Sequence, residues 1–278
     1  MLELEGRTAV ITGAASGIGR EIARTFGAAG MQLMLADVEA EPLAETRGEL
    51  EALGHPVDSF VLDVRDRDQV RELESATRQR FGNVHVLCNN AGVGAGGPIA
   101  ADDDLALWHW AIDINLWGVI HGCKAFLPAM VAHGEPCHVV NTASMAGLGP
   151  SPLMAPYTIS KYGVVALSET LSLEMQMTGA DVGVSVLCPA FVRTGIAESR
   201  RNLPEDLAAT AGEEHGGEQV LRTLVANGIA PSEVAEAVHK AVLEDSFWIL
   251  THDEELPRVA ARAQSILDNT KPSFQNFL

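Results

Sequence analysis

Seven short apolar runs recur along this 278-residue chain, and each is separated from the next by a segment long enough to form a helix. Strands that alternate with helices in this way form a parallel sheet with helices on both faces. With 47% hydrophobic residues and no internal repeat, the chain can bury a large core as one α/β domain over residues 1–278. The pattern predicts strands near residues 7–12, 31–36, 57–62, 84–88, 137–142, 182–188 and 246–251, in the sheet order 3-2-1-4-5-6-7.

The turn after the first apolar run is rich in glycine. Gly13, Gly17 and Gly19 lie between the strand-like residues 8–11 and a helical pattern over about residues 18–29. Glycines at these steps let the backbone approach a ligand too closely for a side chain. The N-terminus of the following helix offers N–H groups and a positive dipole end, which favours binding of a pyrophosphate.

Asp37 ends the second apolar run, where dinucleotide-binding folds place an acid that accepts hydrogen bonds from a ribose. A carboxylate there would repel a 2′-phosphate. The sequence therefore predicts NAD as the cofactor rather than NADP, although Arg20 lies near the glycine turn and could partly offset the repulsion.

Tyr157 and Lys161 are four residues apart, which places both side chains on one face of a helix. A phenol with a pKa near 10 is a poor base in water, so an enzyme that uses one must place positive charge beside it. Such a pair also occurs on solvated helix faces, and the glycine turn is what favours the catalytic interpretation here.

These residues resemble the short-chain dehydrogenase/reductase family. The resemblance covers about residues 5–252 and implies a Rossmann-type doubly wound fold. It rests on motifs in the family's order, namely the turn from Thr12 to Gly19, Asp63-Val64, Asn89-Asn90-Ala91-Gly92, Asn115, Ser144, Tyr157 with Lys161, and Pro189 to Thr194.

The resemblance implies four catalytic residues. Tyr157 would be the general acid and base, and Ser144 would hydrogen-bond the substrate oxygen. Lys161 would lower the tyrosine pKa and hold the nicotinamide ribose. Asn115 would anchor a water on the proton relay that leads from the lysine to solvent.

The resemblance also implies the cofactor contacts. Asp63 matches the residue that binds the adenine amino group, and the loop from Pro189 to Thr194 matches the one that grips the nicotinamide carboxamide. The family commonly has glycine where Ala190 stands, which leaves the backbone conformation there open. The predicted cofactor-binding residues are Gly13, Ser16, Gly17, Ile18, Gly19, Asp37, Asp63, Val64, Asn90, Ala91, Gly92, Tyr157, Lys161, Pro189, Val192 and Thr194.

The family places a mobile lid over the substrate at about residues 195–230, and a helical extension is expected at about residues 253–278. The predicted pocket residues are mostly apolar and include no obvious anchoring cation. They are Met145, Leu148, Leu153, Met154, Phe191 and Ile196. This set predicts a neutral, hydrophobic secondary alcohol or ketone, for example an aryl, alicyclic or steroid-like one.

The resulting prediction is an NAD-dependent oxidoreductase that interconverts such an alcohol and its ketone. Three alternatives remain open at this point. They are an NADP-dependent carbonyl reductase, an epimerase working through a transient ketone, and a nucleotide sensor without turnover. Retention of all four catalytic residues disfavours the sensor, which needs no acid or base.

The formal net charge is −18, without a basic cluster, and this argues against nucleic acid or an anionic membrane as partner. We expect no membrane-spanning segment, because no apolar run approaches the roughly 20 residues required. The N-terminus lacks a signal peptide's basic region and apolar core, so a soluble cytoplasmic protein is predicted.

Four dispersed cysteines, at positions 88, 123, 137 and 188, have no metal-ligand spacing and are expected to be buried free thiols. The histidines form no ligand set either, so no metal site is predicted. A helix over about residues 104–132 resembles one through which the family forms dimers, which predicts a homodimer or homotetramer. Its large side chains are Trp108, Trp110, Trp117, Phe126 and Met130.

Overall fold

The computed structural model describes residues 3–100, 105–208 and 216–273. Within these ranges seven parallel strands form one sheet in the order β3-β2-β1-β4-β5-β6-β7, which confirms the predicted order. The strands are β1 (Thr8–Thr12), β2 (Gln32–Asp37), β3 (Val57–Val61), β4 (Val86–Asn89), β5 (Cys137–Thr142), β6 (Val182–Cys188) and β7 (Trp248–Leu250).

The central strands are buried on both faces, which explains why they are apolar without alternation. Every residue of β1, β4 and β5 is buried. The register pairs Val10 of β1 with Met34 of β2 on one side and with Leu87 of β4 on the other. Because all strands run in one direction, their carboxyl ends meet at one edge of the sheet.

Ten helices connect and cover the strands of the described chain. Shorter 3-10 turns span 145–147, 195–202 and 253–255. The helices are α1 (Gly17–Ala28), α2 (Ala40–Ala52), α3 (Arg67–Phe81), α4 (Ala106–Ile112), α5 (Gly118–His133), α6 (Ala155–Thr178), α7 (Glu205–Ala208), α8 (Gly216–Ala226), α9 (Pro231–Glu244) and α10 (Leu256–Leu267).

Two hydrophobic cores lie on opposite faces of the sheet. One is built around α1, α2 and α9, with Phe26 and Val238 fully buried. The other is built around α3, α5 and α6, with Phe126 and Val164 fully buried. Helices on both faces are the doubly wound arrangement that the sequence predicts.

The predicted long helix is divided by a π-helical turn at Asp113–Trp117, which joins α4 to α5. By length and composition alone, residues 106–133 could cross a membrane, contrary to the expectation that no apolar segment is long enough. The same segment packs against α3 and α6 in the core, and core helices of water-soluble folds pass the same test.

The burial of the side chains in this segment limits which of them could contact a second copy. Trp110, Phe126 and Met130 are each 1% exposed, so the core of the chain itself covers them. They cannot pack against a second copy. Trp117 is accessible, at 49% exposure, whereas Trp108 is half-buried. The expected oligomer stays a prediction.

The predicted lid and extension are described in part. Residues 195–202 form a 3-10 segment that kinks at Glu198, and α7 and α8 follow it. The C-terminal extension forms a 3-10 turn and α10. Residues 209–215 of the predicted lid, 274–278 of the predicted extension and 104 of the predicted long helix lie outside the described residues.

Candidate active site

A cavity of about 280 Å³ opens at the carboxyl edge of the sheet. Open α/β sheets bind their ligands at this edge, where the strand order reverses between β1 and β4. The cavity wall includes most of the predicted cofactor residues, from the glycine turn to Thr194, together with Ser144, Tyr157 and Lys161. Residues far apart in the sequence therefore meet in one place.

The glycine turn at the end of β1 has no room for side chains. Gly13 has φ +68°, and a Cβ there would lie 2.8 Å from the Cα of Ala91. Gly17 has φ +55° and faces Thr194. Gly19 does not line the cavity, but a Cβ on it would lie 2.1 Å from the Gly13 carbonyl oxygen. Close packing or a positive φ thus favours glycine at all three positions. The N-terminus of α1 lies at the cavity, and its first turn contains no acid that would oppose an anionic ligand.

Asp37 lies at the same end of the cavity, at the end of β2. Its Oδ2 accepts a hydrogen bond from the Ala15 N–H at 2.9 Å, and its Oδ1 accepts one from the Glu39 N–H at 3.0 Å. Burial raises the pKa of Asp37, and these two hydrogen bonds oppose the increase. The carboxylate is thereby fixed beside the glycine turn, where the predicted ribose would lie.

The charged groups near this end are already paired. The Asp63 carboxylate, predicted to bind an adenine amino group, is held by the guanidinium of Arg65, with Nη2 2.6 Å from Oδ2. Arg20, which the sequence suggested as a partial offset to the charge of Asp37, instead pairs with Glu49 on α2 and does not line this cavity.

Ser144, Tyr157 and Lys161 form one wall of the cavity. Ser144 follows β5, and its Oγ accepts a hydrogen bond from the Ala146 N–H at 3.1 Å. Tyr157 and Lys161 lie in the first two turns of α6, and the lysine Nζ is 5.6 Å from the centre of the phenol ring. Lys161 is 3% exposed and donates to the Thr142 carbonyl oxygen at 2.9 Å.

The environment shifts both titratable groups of this wall. Burial raises the pKa of Tyr157, and a hydrogen bond with Ser144 opposes the shift. Burial lowers the pKa of Lys161 to about 8. The lowering of the tyrosine pKa by the Lys161 ammonium stays a prediction. The tyrosine is held in its protonated, acidic form.

Asn115 is completely buried in the π-helical turn and does not line the cavity. Its amide bonds the main chain of Val93 twice, through Oδ1 at 2.8 Å and Nδ2 at 2.9 Å, and also reaches Ser160 Oγ at 3.2 Å. The side chain thus fixes the loop that follows β4, next to Gly92. The predicted role of Asn115 in anchoring a relay water stays a prediction.

The loop after β6 contains Ala190, whose backbone conformation the sequence left open. The described non-glycine residues with positive φ are Leu153, Asp245 and Asn269, so Ala190 has an ordinary backbone conformation. Its N–H donates to Nδ1 of the buried His252 at 3.2 Å. The loop therefore does not need the family's glycine here, and His252 fixes it from the end of β7.

Two of the predicted pocket residues do not line the cavity. Leu148 packs against the hydrophobic core instead. Leu153 has φ +63° and is 56% exposed, because the turn carries its side chain outward while its carbonyl accepts the Gly97 N–H. Met145, Met154, Phe191 and Ile196 do line it.

Two ion pairs on the cavity wall were missed by the sequence analysis. Arg258 and Glu255 of the C-terminal extension lie 3.2 Å apart, and Arg201 pairs with Glu39. The pocket is therefore not free of cations. A charged residue in an amphipathic helix or a loop carries no local signal that it faces a cavity built from distant strands.

The four cysteines are free and buried. Burial raises the pKa of Cys188, which precedes the loop 189–194, to about 12, and this disfavours a reactive thiolate. Among residues 3–100, 105–208 and 216–273, no group of three His, Cys, Asp or Glu side chains could hold a metal ion.

Comparison with known proteins agrees with this geometry. Residues 7–204 match the family model described as short chain dehydrogenase. The C alpha-dehydrogenase of Sphingobium sp. strain SYK-6 is 34% identical over 98% of this chain and 89% of its own. A short-chain dehydrogenase/reductase from Burkholderia phymatum, solved in complex with NAD, is 42% identical over 98% of each chain, with a TM-score of 0.96.

A third similar protein carries the other type of dinucleotide. The alcohol dehydrogenase of the archaeon Thermococcus sibiricus, complexed with 5-hydroxy-NADP, is 27% identical over 88% of this chain and 95% of its own, with a TM-score of 0.71. The sheet order, the glycine turn and the family match lead to one assignment. This chain belongs to the short-chain dehydrogenase/reductase family of oxidoreductases.

Proposed function

We propose that this chain is an NAD-dependent dehydrogenase that interconverts neutral, hydrophobic secondary alcohols and their ketones, with Tyr157 as the general acid and base. The observation that carries the proposal is the position of Ser144, Tyr157 and Lys161 on one wall of the cavity that also contains the glycine turn and Asp37. Acid/base groups and a dinucleotide cradle in one cavity are what hydride transfer to or from an alcohol carbon requires.

The cradle fits a dinucleotide. Gly13 and Gly17 line the cavity with positive φ, close packing at Gly13 and Gly19 leaves no room for a Cβ, and the N-terminus of α1 favours a pyrophosphate. Asp37 favours an unsubstituted ribose and disfavours a 2′-phosphate. The neighbour from Burkholderia phymatum was solved with NAD, which supports the same choice. When bound, the dinucleotide supplies the site that accepts or donates the hydride.

The residues of this chain move the proton. In the oxidative direction the Tyr157 phenolate oxygen takes the hydroxyl proton as the carbinol carbon loses its hydride, and the C–O bond becomes a carbonyl. In the reductive direction the neutral phenol donates that proton to the alkoxide oxygen. Ser144 donates a hydrogen bond to the same oxygen, which stabilises its changing charge in place. While Lys161 carries its charge, the buried ammonium stabilises the phenolate and reaches the ribose.

The cavity wall supports a largely apolar substrate. Met145, Met154, Phe191 and Ile196 contribute apolar surface next to the catalytic wall, and Trp110 adds a fully buried indole. The Arg258–Glu255 pair has no net charge. It therefore suits a hydroxyl or ether oxygen on a neutral substrate better than a carboxylate. Aryl, alicyclic and steroid-like alcohols are the classes that we expect to react.

The test is an absorbance assay for NADH at mildly alkaline pH, with secondary alcohols of these three classes and with NADP in parallel. We expect turnover with NAD on hydrophobic alcohols. Turnover with NADP alone would favour the carbonyl reductase alternative. NADH binding without any turnover across the panel would contradict the proposed activity and favour a nucleotide sensor.

We further propose that the protein works as a soluble cytoplasmic homodimer or homotetramer, because members of its family usually form oligomers. Sedimentation or light scattering at micromolar concentration would measure its mass. A species of 29.5 kDa alone, the mass of one chain, would contradict this part of the proposal.

A further inference from the structure

A bidentate ion pair lies at the end of the cavity that contains Asp37. Nε and Nη2 of Arg201 donate to the two carboxylate oxygens of Glu39 at 3.0 and 2.7 Å. The two residues are 162 positions apart in the sequence. Glu39 lies two residues after Asp37, at the start of α2, and Arg201 lies near the end of the 3-10 segment 195–202. Both side chains line the cavity.

Each partner is held in place by other groups. Nη1 of Arg201 donates to the carbonyl oxygens of Gly195 and Glu198 at 3.0 and 3.2 Å. The main-chain N–H of Glu39 donates to Asp37 at 3.0 Å. The carboxylate of Glu39 makes no capping bond to α2, so its role is not to cap that helix. Its carboxylate instead pairs with Arg201 through both oxygens and has a further hydrogen bond with the side chain of Asn202.

An arginine at this place would otherwise favour NADP over NAD. The planar guanidinium donates to phosphate through two parallel N–H groups as readily as it does to a carboxylate. Arg201 lies close enough to Asp37 for the carboxylate's charge to act on it. A 2′-phosphate on a ribose held by Asp37 would therefore be within the influence of Arg201.

We infer that Glu39 is a second residue that selects NAD over NADP, because it holds Arg201 in a bidentate pair and so denies that arginine to a 2′-phosphate. This inference rests on the proposed use of NAD and extends it. Asp37 would repel the phosphate directly. Glu39 would act indirectly, because it holds Arg201, the arginine of the segment 195–202 that could bind the phosphate. Arg65, another arginine that lines the cavity, is paired in a similar manner with Asp63.

Binding measurements test the inference without reliance on turnover. The full-length chain and its variants Glu39→Gln, Arg201→Met and the double variant are titrated with NADH and with NADPH, and nucleotide fluorescence gives each Kd. We expect Glu39→Gln to bind NADPH about 10-fold more tightly, with the Kd for NADH changed less than about 3-fold, since one charge-assisted bidentate contact is gained. In the Arg201→Met background the same substitution should leave the NADPH affinity unchanged.

Glu41→Gln is the matched control, because Glu41 is an exposed acid in the first turn of the same helix. It removes the same charge from nearly the same place without releasing Arg201, and it should leave both affinities unchanged. An NADPH gain that persists with Met at position 201, or that Glu41→Gln reproduces, would overturn the inference in favour of general repulsion. An absence of any gain in Glu39→Gln would also overturn it. Glu39→Ala repeats the test if the glutamine variant does not fold.

Failure of the underlying NAD preference gives a different result. If the wild-type chain binds NADPH as tightly as NADH, and Asp37→Asn changes neither affinity, the proposed cofactor is wrong. Dependence of the Glu39→Gln effect on Arg201 would still be measured in that case. The cofactor choice and the role of Glu39 are therefore decided by separate comparisons.

Discussion

At the scale of single residues, the site combines an acid and a cation whose pKa values are both shifted by burial. The Tyr157 pKa is raised and the Lys161 pKa is lowered, so each group is driven toward its neutral form. A neutral phenol suits proton donation in ketone reduction. Oxidation needs the phenolate, which the positive charge of an oxidised nicotinamide would help to form. The chemistry thus depends on the cofactor as well as on the protein.

Tyr157→Phe removes the proton-transfer group and leaves the ring that packs in the wall. We expect kcat to fall about 10²- to 10⁴-fold, the usual contribution of a general acid or base. NADH affinity should change little, because the glycine turn and Asp37 are untouched. Steady-state rates together with NADH titration check both expectations. A variant that keeps most of its rate would refute the assigned role of the phenol.

The shifted lysine also affects folding stability. The Lys161 pKa is about 8 in the folded chain against an ordinary value of 10.5, so between these pH values the unfolded chain binds more protons. Stability contributed by this residue therefore rises as the pH increases from about 8 to 10.5. The full change in its contribution to the free energy of unfolding is on the order of 3 kcal/mol, since each pKa unit corresponds to about 1.4 kcal/mol.

Lys161→Met keeps the apolar stem and lacks the titration. The difference in free energy of unfolding between wild type and this variant, measured in urea, should shift in favour of the wild type as the pH rises through that range. A difference that stays constant from about pH 7.5 to about pH 10.5 would mean that the buried lysine keeps its ordinary pKa.

At the scale of elements, the helices behind the site are fixed to the strands by buried polar contacts. Asn89 at the end of β4 donates to Asn141 of β5 at 2.9 Å, and Asn141 donates to Ser168 of α6 at 3.0 Å. Oδ1 of Asn89 faces Gly122 of α5, where a Cβ would lie only 2.0 Å away. Glycine at position 122 lets α5 lie directly against this network, and so helps to place α6 with its catalytic face.

Gly122→Ala should destabilise the fold. The added methyl group would displace the Asn89 amide from its partners, and overpacking of this kind costs about 1 to 3 kcal/mol. Gly48→Ala is the matched control, because Gly48 lies in α2 and a Cβ there would have nothing within 4 Å. There the same substitution should stabilise the chain by about 0.5 to 1 kcal/mol. Equal effects at the two positions, measured by urea denaturation, would show that packing against Asn89 is unimportant.

At the scale of the whole molecule, the strands and their order could be predicted from the sequence. Seven apolar runs and the turn at Gly13 predicted the strands and their order, because burial on both faces of a parallel sheet leaves a direct mark on composition. The predicted positions of Leu153 and Trp110 were wrong. Leu153 lies outside the cavity because its positive φ turns the side chain outward. Trp110 faces the core of the chain and not a second copy, and a helical pattern alone does not indicate which side of a long helix meets the core. The Glu39–Arg201 pair could not be predicted, because it joins residues 162 positions apart that carry no shared local pattern.

The net charge of −18 would act on the proposed cofactor from outside the site, because NADH is also an anion. At about 0.01 M salt the screening length is roughly 30 Å, so the field of the entire chain opposes its approach, whereas at about 0.1 M it is about 10 Å. Arg193 and Arg24 line a neighbouring surface hollow that shares Gly17 and Thr194 with the cavity, and such arginines would attract the ligand over short distances only. The association rate constant for NADH should therefore rise severalfold between these salt concentrations, opposite to electrostatically steered binding.

Stopped-flow fluorescence measures this rate constant directly, and the KM of a neutral alcohol, which should not change with salt, is the internal control. A rate constant that falls as salt is added would contradict the argument. It would mean that the arginines around the cleft outweigh the total charge, and that approach of the dinucleotide is governed by the local field of the site rather than by the acidic surface of the chain.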